Sequence, residues 1–214
     1  MTEDKDPKNC PFFEKTGCCS KGKVCMKIHR TVEISRVLLF HHLYPNPEIF
    51  LKMLGSTSVE ISQQKRQNLL DGFFVDVCCM LMQFGQLDDL LICGNKNDTL
   101  FGNVLAEFHD INAAKAAQMA LDGVFYAGRK IHVSFTPILR LISGLCFKNE
   151  QGNCMLGDAC CFIHPIRPTF CIYNQIFPRT VKSIPRALRN ANLKRNIDHP
   201  MDLVNGKAKF TTVQ

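Results

Sequence analysis

The chain has 214 residues, 46% hydrophobic and 21% charged, with twelve cysteines, seven histidines and a formal charge of +7. A short secreted domain framed by disulfides is excluded by this length and histidine content. The polar, acidic start MTEDKDPKN does not read as a signal peptide, and no apolar run is long enough to cross a bilayer. A reducing, intracellular setting is therefore expected.

In chain order, the first feature is Cys10, Cys19, Cys25 and His29, spaced C-x8-C-x5-C-x3-H. Residues 35–43 (SRVLLFHHL) are rich in β-formers and predict a first strand, broken by Tyr44-Pro-Asn-Pro47. Residues 59–84 repeat apolar side chains at three- and four-residue steps and predict a helix, with Gly85 as its left-handed C-terminal residue. Residues 87–93 predict a second strand, 94–98 a turn and 100–108 a third strand. Residues 111–121 form an alanine-rich second helix with Asp110 as N-cap. Phe125, Tyr126 and residues 130–135 supply the last strand, turned at Ala127-Gly128. The order βαββαβ is the split-βαβ arrangement, so the fold class is α+β. A second array follows: Cys146, Cys154, Cys160 and His164, spaced C-x7-C-x5-C-x3-H.

Three thiolates and an imidazole complete a tetrahedral zinc shell with no open position for water or substrate. Two such arrays predict two structural Zn2+ ions per chain. A module of about twenty residues buries too little apolar surface to fold alone, so metal binding would supply its folding free energy. Of the other cysteines, Cys18 and Cys161 abut ligands, and Cys78, Cys79 and Cys93 read as small core residues. Both shells are closed, no Gly-rich phosphate loop occurs, and no nucleophile has an evident base. No enzymatic activity is expected.

Both arrays, Gly85-Gln-Leu-Asp-Asp-Leu, Gly102-Asn-Val, and residues 121–138 (LDGVFYAGRKIHVSFTPI) together carry a family resemblance. The chain resembles the small subunit of the U2 snRNP auxiliary factor over roughly residues 8–170. That resemblance implies a CCCH finger at 8–30, a protein-binding domain like an RNA-recognition motif (RRM) at 35–138, a second CCCH finger at 144–166 and a basic tail at 167–214. It also implies a nuclear, non-catalytic subunit of a splicing heterodimer. Its fingers would read the AG of single-stranded pre-mRNA at 3′ splice sites, while the middle domain would hold a large subunit, beside other spliceosomal components and no membrane.

An RRM stacks bases on aromatic side chains of its two central strands. Here Asn103, Leu105 and Leu39 occupy those places, and alternation sends Phe40 and Phe108 to the core, so little RNA affinity is expected from the sheet. RNA contacts are placed on the fingers instead: Phe12 and Phe162 as stacking candidates, with Lys15, Lys21, Lys23, Lys27, Arg30 and Lys148. One of Phe12 and Phe13 is expected to cover the metal. Ser20 and Phe147 stand where the family carries basic residues. For the partner, the resemblance points to Asp71, Phe74 and Asp76 on the first helix and to Phe125 and Tyr126. Val124 replaces the family's loop arginine.

Residues 1–164 hold 17 basic and 17 acidic side chains, and residues 165–214 hold nine and two, so the tail carries the whole net charge. Val181, Ile184, Leu188 and Ala191 make one apolar helical stripe within it, and disorder is expected beyond Pro200. Two other readings fit the same residues: a CCCH regulator of mRNA processing or decay, and a protein scaffold with purely architectural zinc.

Overall fold

A computed structural model of the chain describes residues 8–47, 55 and 61–178. The apolar stripe at 181–191 and the segment beyond Pro200 lie outside the described residues. The elements are α1 (Pro11–Thr16), β1 (Val37–Phe40), α2 (Gln63–Met82), β2 (Leu87–Cys93), β3 (Val104–Phe108), α3 (Ile111–Leu121), β4 (Phe125–Tyr126), β5 (Arg129–Lys130), β6 (Val133–Phe135), α4 (Phe147–Glu150), β7 (Pro165–Ile166) and α5 (Phe170–Ile176).

Strands β6-β1-β3-β2-β7 form one antiparallel sheet in that order. Leu39 faces Leu105, and Leu105 faces Leu91 in the next strand. Because strand side chains alternate between faces, these three leucines share one side, while Leu38, Phe40, Ala106 and Phe108 share the other. On that second side α2 and α3 cover the sheet through Phe74, Val77, Leu81, Ala114 and Ala117. The first side is also buried: Val37, Leu39, Leu91, Cys93 and Leu105 pack under Ile138, Leu141 and Ile163, with Cys18 and Leu145 at the margin. A strand buried on both faces has no polar alternation to display, which is why β1 reads as the unbroken run VLLF.

Helix α3 has the predicted bounds, and the Asp110 carboxylate accepts hydrogen bonds from the backbone N–H groups of Asn112 and Ala113. Helix α2 is shorter than the periodicity suggested. The Ser62 hydroxyl caps it, accepting from Lys65 N, and the helix ends at Met82. Gly85 is not its left-handed cap, which corrects the sequence reading. Its φ is 156°, and a Cβ there would lie 2.6 Å from Ala113 Cβ, so glycine is required for close approach to α3.

The third strand starts later than expected because residues 100–102 turn first. Gly102 has φ 63°, and a Cβ would meet Tyr44 O at 2.5 Å. The last strand is split: β4 and β5 form a hairpin through Ala127 (φ 48°) and Gly128 (φ 76°), both left-handed as a two-residue turn demands. Cys78 and Cys93 are core residues as expected, their thiols pushed up by burial, whereas Cys79 is exposed.

Two further pieces of chain join this domain. Strand β7 extends the sheet past β2, pairing Ile166 with Ile92 and Pro165 with Cys93. Helix α5 then lies on α2. Phe177 and Tyr173 pack on Phe74, and the Asp71 carboxylate accepts from Gln67 Nε2, Thr169 N and the Thr169 hydroxyl. The Tyr173 hydroxyl donates to Asp89 Oδ1 at 2.6 Å.

Burial pushes the Asp89 carboxyl up to about 6, against a lowering contribution from the Tyr173 hydroxyl. The folded chain therefore holds a proton there that the unfolded chain releases, between the ordinary carboxylate range and pH 6. Stability from this group falls as pH rises through that window and is level above it. Tyr173→Phe should raise the Asp89 pKa further and cost about 1–3 kcal/mol at pH 7, because a buried acceptor loses its donor. Melting curves from pH 5 to 8 should show that cost shrinking toward pH 5, and Asp89→Asn should abolish the dependence.

Candidate metal centres and nucleic-acid interface

The two Cys3His arrays adopt the same local structure. In the first, Cys10 precedes α1 in an extended conformation and its N–H donates to Ile28 O at 2.8 Å. In the second, Cys146 precedes α4 and its N–H donates to Ile163 O at 2.9 Å. Each third cysteine follows a short 3-10 turn, Gly22–Val24 before Cys25 and Gly157–Ala159 before Cys160. Gly22 and Gly157 open those turns at φ 48° and 46°. The repeated spacing in the sequence is thus a repeated fold.

Within each array the four ligand atoms lie within 4.8 Å of one another. Each donor set is three sulfurs and one nitrogen, closed as a structural zinc shell requires. His29 Nε2 and His164 Nε2 are buried without a hydrogen-bond partner among the described residues. A buried imidazole nitrogen left unpaired is costly, and a metal ion is the partner that this geometry fits. Burial opposes ionisation of Cys10 and Cys154, yet both thiols are held below their ordinary range. Backbone N–H groups, of Phe13 and Phe12 for Cys10 and of Leu156 and Gly157 for Cys154, outweigh it together with the neighbouring cysteines. Cys160 is pushed up to about 12, first by burial.

The cysteines beside the ligands stand apart from them. Cys18 is pushed up to about 11 by burial, and its sulfur accepts from Asn103 Nδ2 at 3.4 Å. Cys161 Sγ faces Ser20 Oγ at 3.8 Å, a contact that joins the two arrays.

The stacking candidates meet at that same junction. Phe13 lies flat on His29, with centroids 4.6 Å apart and planes 7° from parallel, so of the two phenylalanines Phe13 is the one stacked on a residue of the first Cys3His array. Phe12 points elsewhere. Its ring meets Phe162 edge-on at 5.6 Å, and Lys15 Nζ lies 5.7 Å from the Phe162 centroid. Residues from the two ends of the sequence therefore form one seam. Gly144 lets α1 come this close, since a Cβ there would lie 2.3 Å from Lys15 O. Lys21, Lys23, Lys27 and Arg30 are exposed around the first array, and Lys148 is exposed on α4 of the second.

The sheet face used for stacking in an RRM is closed to bases. Leu39 and Leu105 are 1% and 0% exposed beneath the finger segments. Asn103, also fully buried, is a clamp that sequence reading missed: its Oδ1 accepts from His42 N, and its Nδ2 donates to Thr99 O and Cys18 Sγ. A lone asparagine just before an apolar strand gives no sequence signal for that role.

The partner candidates divide into two groups. Asp71 and Phe74 do not offer a free surface, because α5 of the same chain covers them. Asp76 is exposed, Phe125 is 71% exposed, and Tyr126 is half-buried, edge-on to Phe73 at 6.1 Å. Beside them opens an apolar cavity of about 390 Å³ lined by Tyr44, Pro45, Pro47, Leu69, Phe73, Ala127 and Arg129, which sequence reasoning did not locate. Arg129 donates to His42 O and Leu43 O and ties the hairpin to its wall.

No family model matches the chain. Among curated proteins, one of the U2af small-subunit splicing factors of Arabidopsis thaliana is 34% identical over 161 residues, covering 75% of this chain and 54% of that protein. The U2AF 26 kDa subunit of Bos taurus is 28% identical over 205 residues, covering 92% and 93%. The U2af 38 kDa subunit of Drosophila melanogaster is 29% identical, covering 75% and 62%. The chain thus spans between about half and two thirds of the length of the plant relatives it matches. Among solved structures, the RRM of RNA15 aligns with 48% of this chain and 91% of its own at 15% identity and TM-score 0.29. With two Cys3His arrays around a βαββαβ domain and several curated relatives at 28–34% identity over most of its length, the chain belongs to the family of U2AF small subunits.

Proposed function

We propose that this chain is a non-catalytic, nuclear splicing subunit whose two zinc fingers jointly bind single-stranded pre-mRNA at the AG of the 3′ splice site. The observation that carries the reading is the seam of Phe12, Phe162 and Lys15, which offers aromatic faces and positive charge in one place while the sheet face is buried. Bases stack on aromatic faces, and lysines neutralise the phosphates between them. The relatives are named as splicing factors, which supports the same role here. Cys10, Cys19, Cys25 and His29 would hold one zinc, and Cys146, Cys154, Cys160 and His164 the other. When bound, the metal supplies folding free energy to each finger rather than chemistry.

The middle domain, in this reading, binds a large subunit through the exposed Phe125, the half-buried Tyr126, Asp76 and the apolar cavity beside Phe73. Val124 in place of an arginine leaves the contact mainly apolar. Spliceosomal components would then be recruited through the heterodimer.

Atomic emission should find two zinc ions per chain, falling to one in Cys154→Ser. One ion in the unmodified chain would remove the second finger from the metal assignment. In RNA titrations with the partner complex, Phe12→Ala should weaken binding about 5- to 150-fold, the range that one lost stacking contact gives. Lys27→Ala should weaken it and flatten the salt dependence by about one unit. Equal binding of AG and a scrambled dinucleotide would favour a general CCCH regulator, and no RNA binding at all would favour a scaffold.

For the partner contact, the Phe125→Ala, Tyr126→Ala double variant should cost about 2–4 kcal/mol of heterodimer affinity. Phe125→Ala alone should leave the melting temperature unchanged, since the ring is mostly in solvent. Wild-type affinity in the folded double variant would take this loop out of the interface.

A further inference from the structure

The two metal centres are locally alike, but they are attached to the rest of the chain in different ways. Around the second, the loop following β2 reaches into the ligand-bearing segment. Asn95, 2% exposed, uses its whole carboxamide there: Oδ1 accepts from His164 N at 2.8 Å, and Nδ2 donates to Phe162 O at 2.9 Å and to Cys160 O at 3.4 Å. Asn97 Nδ2 donates to Asp158 O at 2.9 Å and Cys160 O at 3.1 Å, while its Oδ1 accepts from Leu100 N. Gly94 N donates to His164 O at 2.8 Å, and a Cβ on Gly94 would meet Ile166 Cγ2 at 2.5 Å. Directly after His164 the chain enters β7 and becomes part of the sheet. Two of the four ligands, Cys160 and His164, are thus held from the middle domain.

The first centre lacks this scaffold among the described residues. The backbone bonds that fix its ligands run within the finger: Cys10 N to Ile28 O, Gly22 N to Cys19 O, and Cys25 N to Gly22 O. The imidazole of His29 rests on Phe13 of the same finger. Asn103 of the middle domain meets this finger at Cys18, one residue before a ligand.

We infer that Asn95, seconded by Asn97, is a positioning residue for the second zinc site, and that the sites are therefore unequal: the second is preorganised by the folded sheet and releases its metal slowly, the first releases it fast. A ligand set already fixed in place loses little conformational entropy on binding metal. Removing groups that orient metal ligands costs about 10- to 100-fold in metal affinity. The inference rests on the zinc assignment of the preceding section, and the experiment separates the two.

The full chain, loaded with zinc, is mixed with excess chelator and a colorimetric zinc indicator. Two equivalents should appear in two phases. Cys154→Ser should eliminate the slow phase. Asn95→Ala should accelerate the slow phase about 10-fold or more and leave the fast phase unchanged, and Asn95→Asp, which keeps the acceptor for His164 N, should fall between. Asp110→Ala is the control for general loss of stability: it weakens α3 far from either centre and should leave both phases as they are. A single phase, or a slow phase indifferent to Asn95→Ala, or one equally accelerated by Asp110→Ala, overturns the inference while zinc stoichiometry stands. Fewer than two equivalents in the starting chain overturns the zinc assignment itself. Should Asn95→Ala not fold, Asn97→Ala gives the same readout through the Asp158 and Cys160 carbonyls.

Discussion

Everything else in this structure depends on the burial of the sheet face that turns away from α2 and α3. Val37, Leu39, Leu91 and Leu105 would otherwise present a continuous apolar surface to water, and burying such side chains is worth about 1.5–3 kcal/mol each. The segments that cover them come from the fingers and the chain leading to them: Cys18, Ile138, Leu141, Leu145 and Ile163. Neither finger can make a core of its own, and the sheet cannot leave this face bare. Each solves the other's deficit.

That mutual dependence fixes the geometry of the finger pair. Both fingers sit over one sheet, so their first helical turns and knuckles converge, and Phe12 reaches Phe162 from the opposite end of the described chain. A seam between two fingers is more rigid than two fingers on linkers, and it presents its aromatics and lysines in a single fixed spacing. The face that stacks bases in an RRM has become a mounting plate for the two finger segments.

The sequence was informative wherever one local rule decided the outcome. The ligand spacing located both arrays, the alanine run and Asp110 located α3, and the substitution of Asn103 and Leu105 for aromatics pointed away from a stacking sheet. It was silent where a residue's role comes from a partner distant in the chain. Asn95 and Asn97 read as ordinary turn residues until the second finger is brought against them. Asp71 and Phe74 read as an open helix surface because the segment that covers them, α5, lies far along the chain. Gly85 carries the signature of a helix cap, but its glycine is demanded by Ala113 across the core. Strand β7 has only two residues and no pattern of its own, and tertiary pairing alone makes it a strand.

That short strand has a consequence for the molecule's solubility. A sheet edge is a row of unpaired backbone donors and acceptors that can recruit another chain, and β2, with its run Leu-Leu-Ile-Cys, would be such an edge. The segment after His164 closes part of it, at Ile92 and Cys93. The Cys3His array that contains His164 therefore also guards an adhesive border, with the leucine face beside it. Any change that loosens this array would bare that border and lead toward self-association.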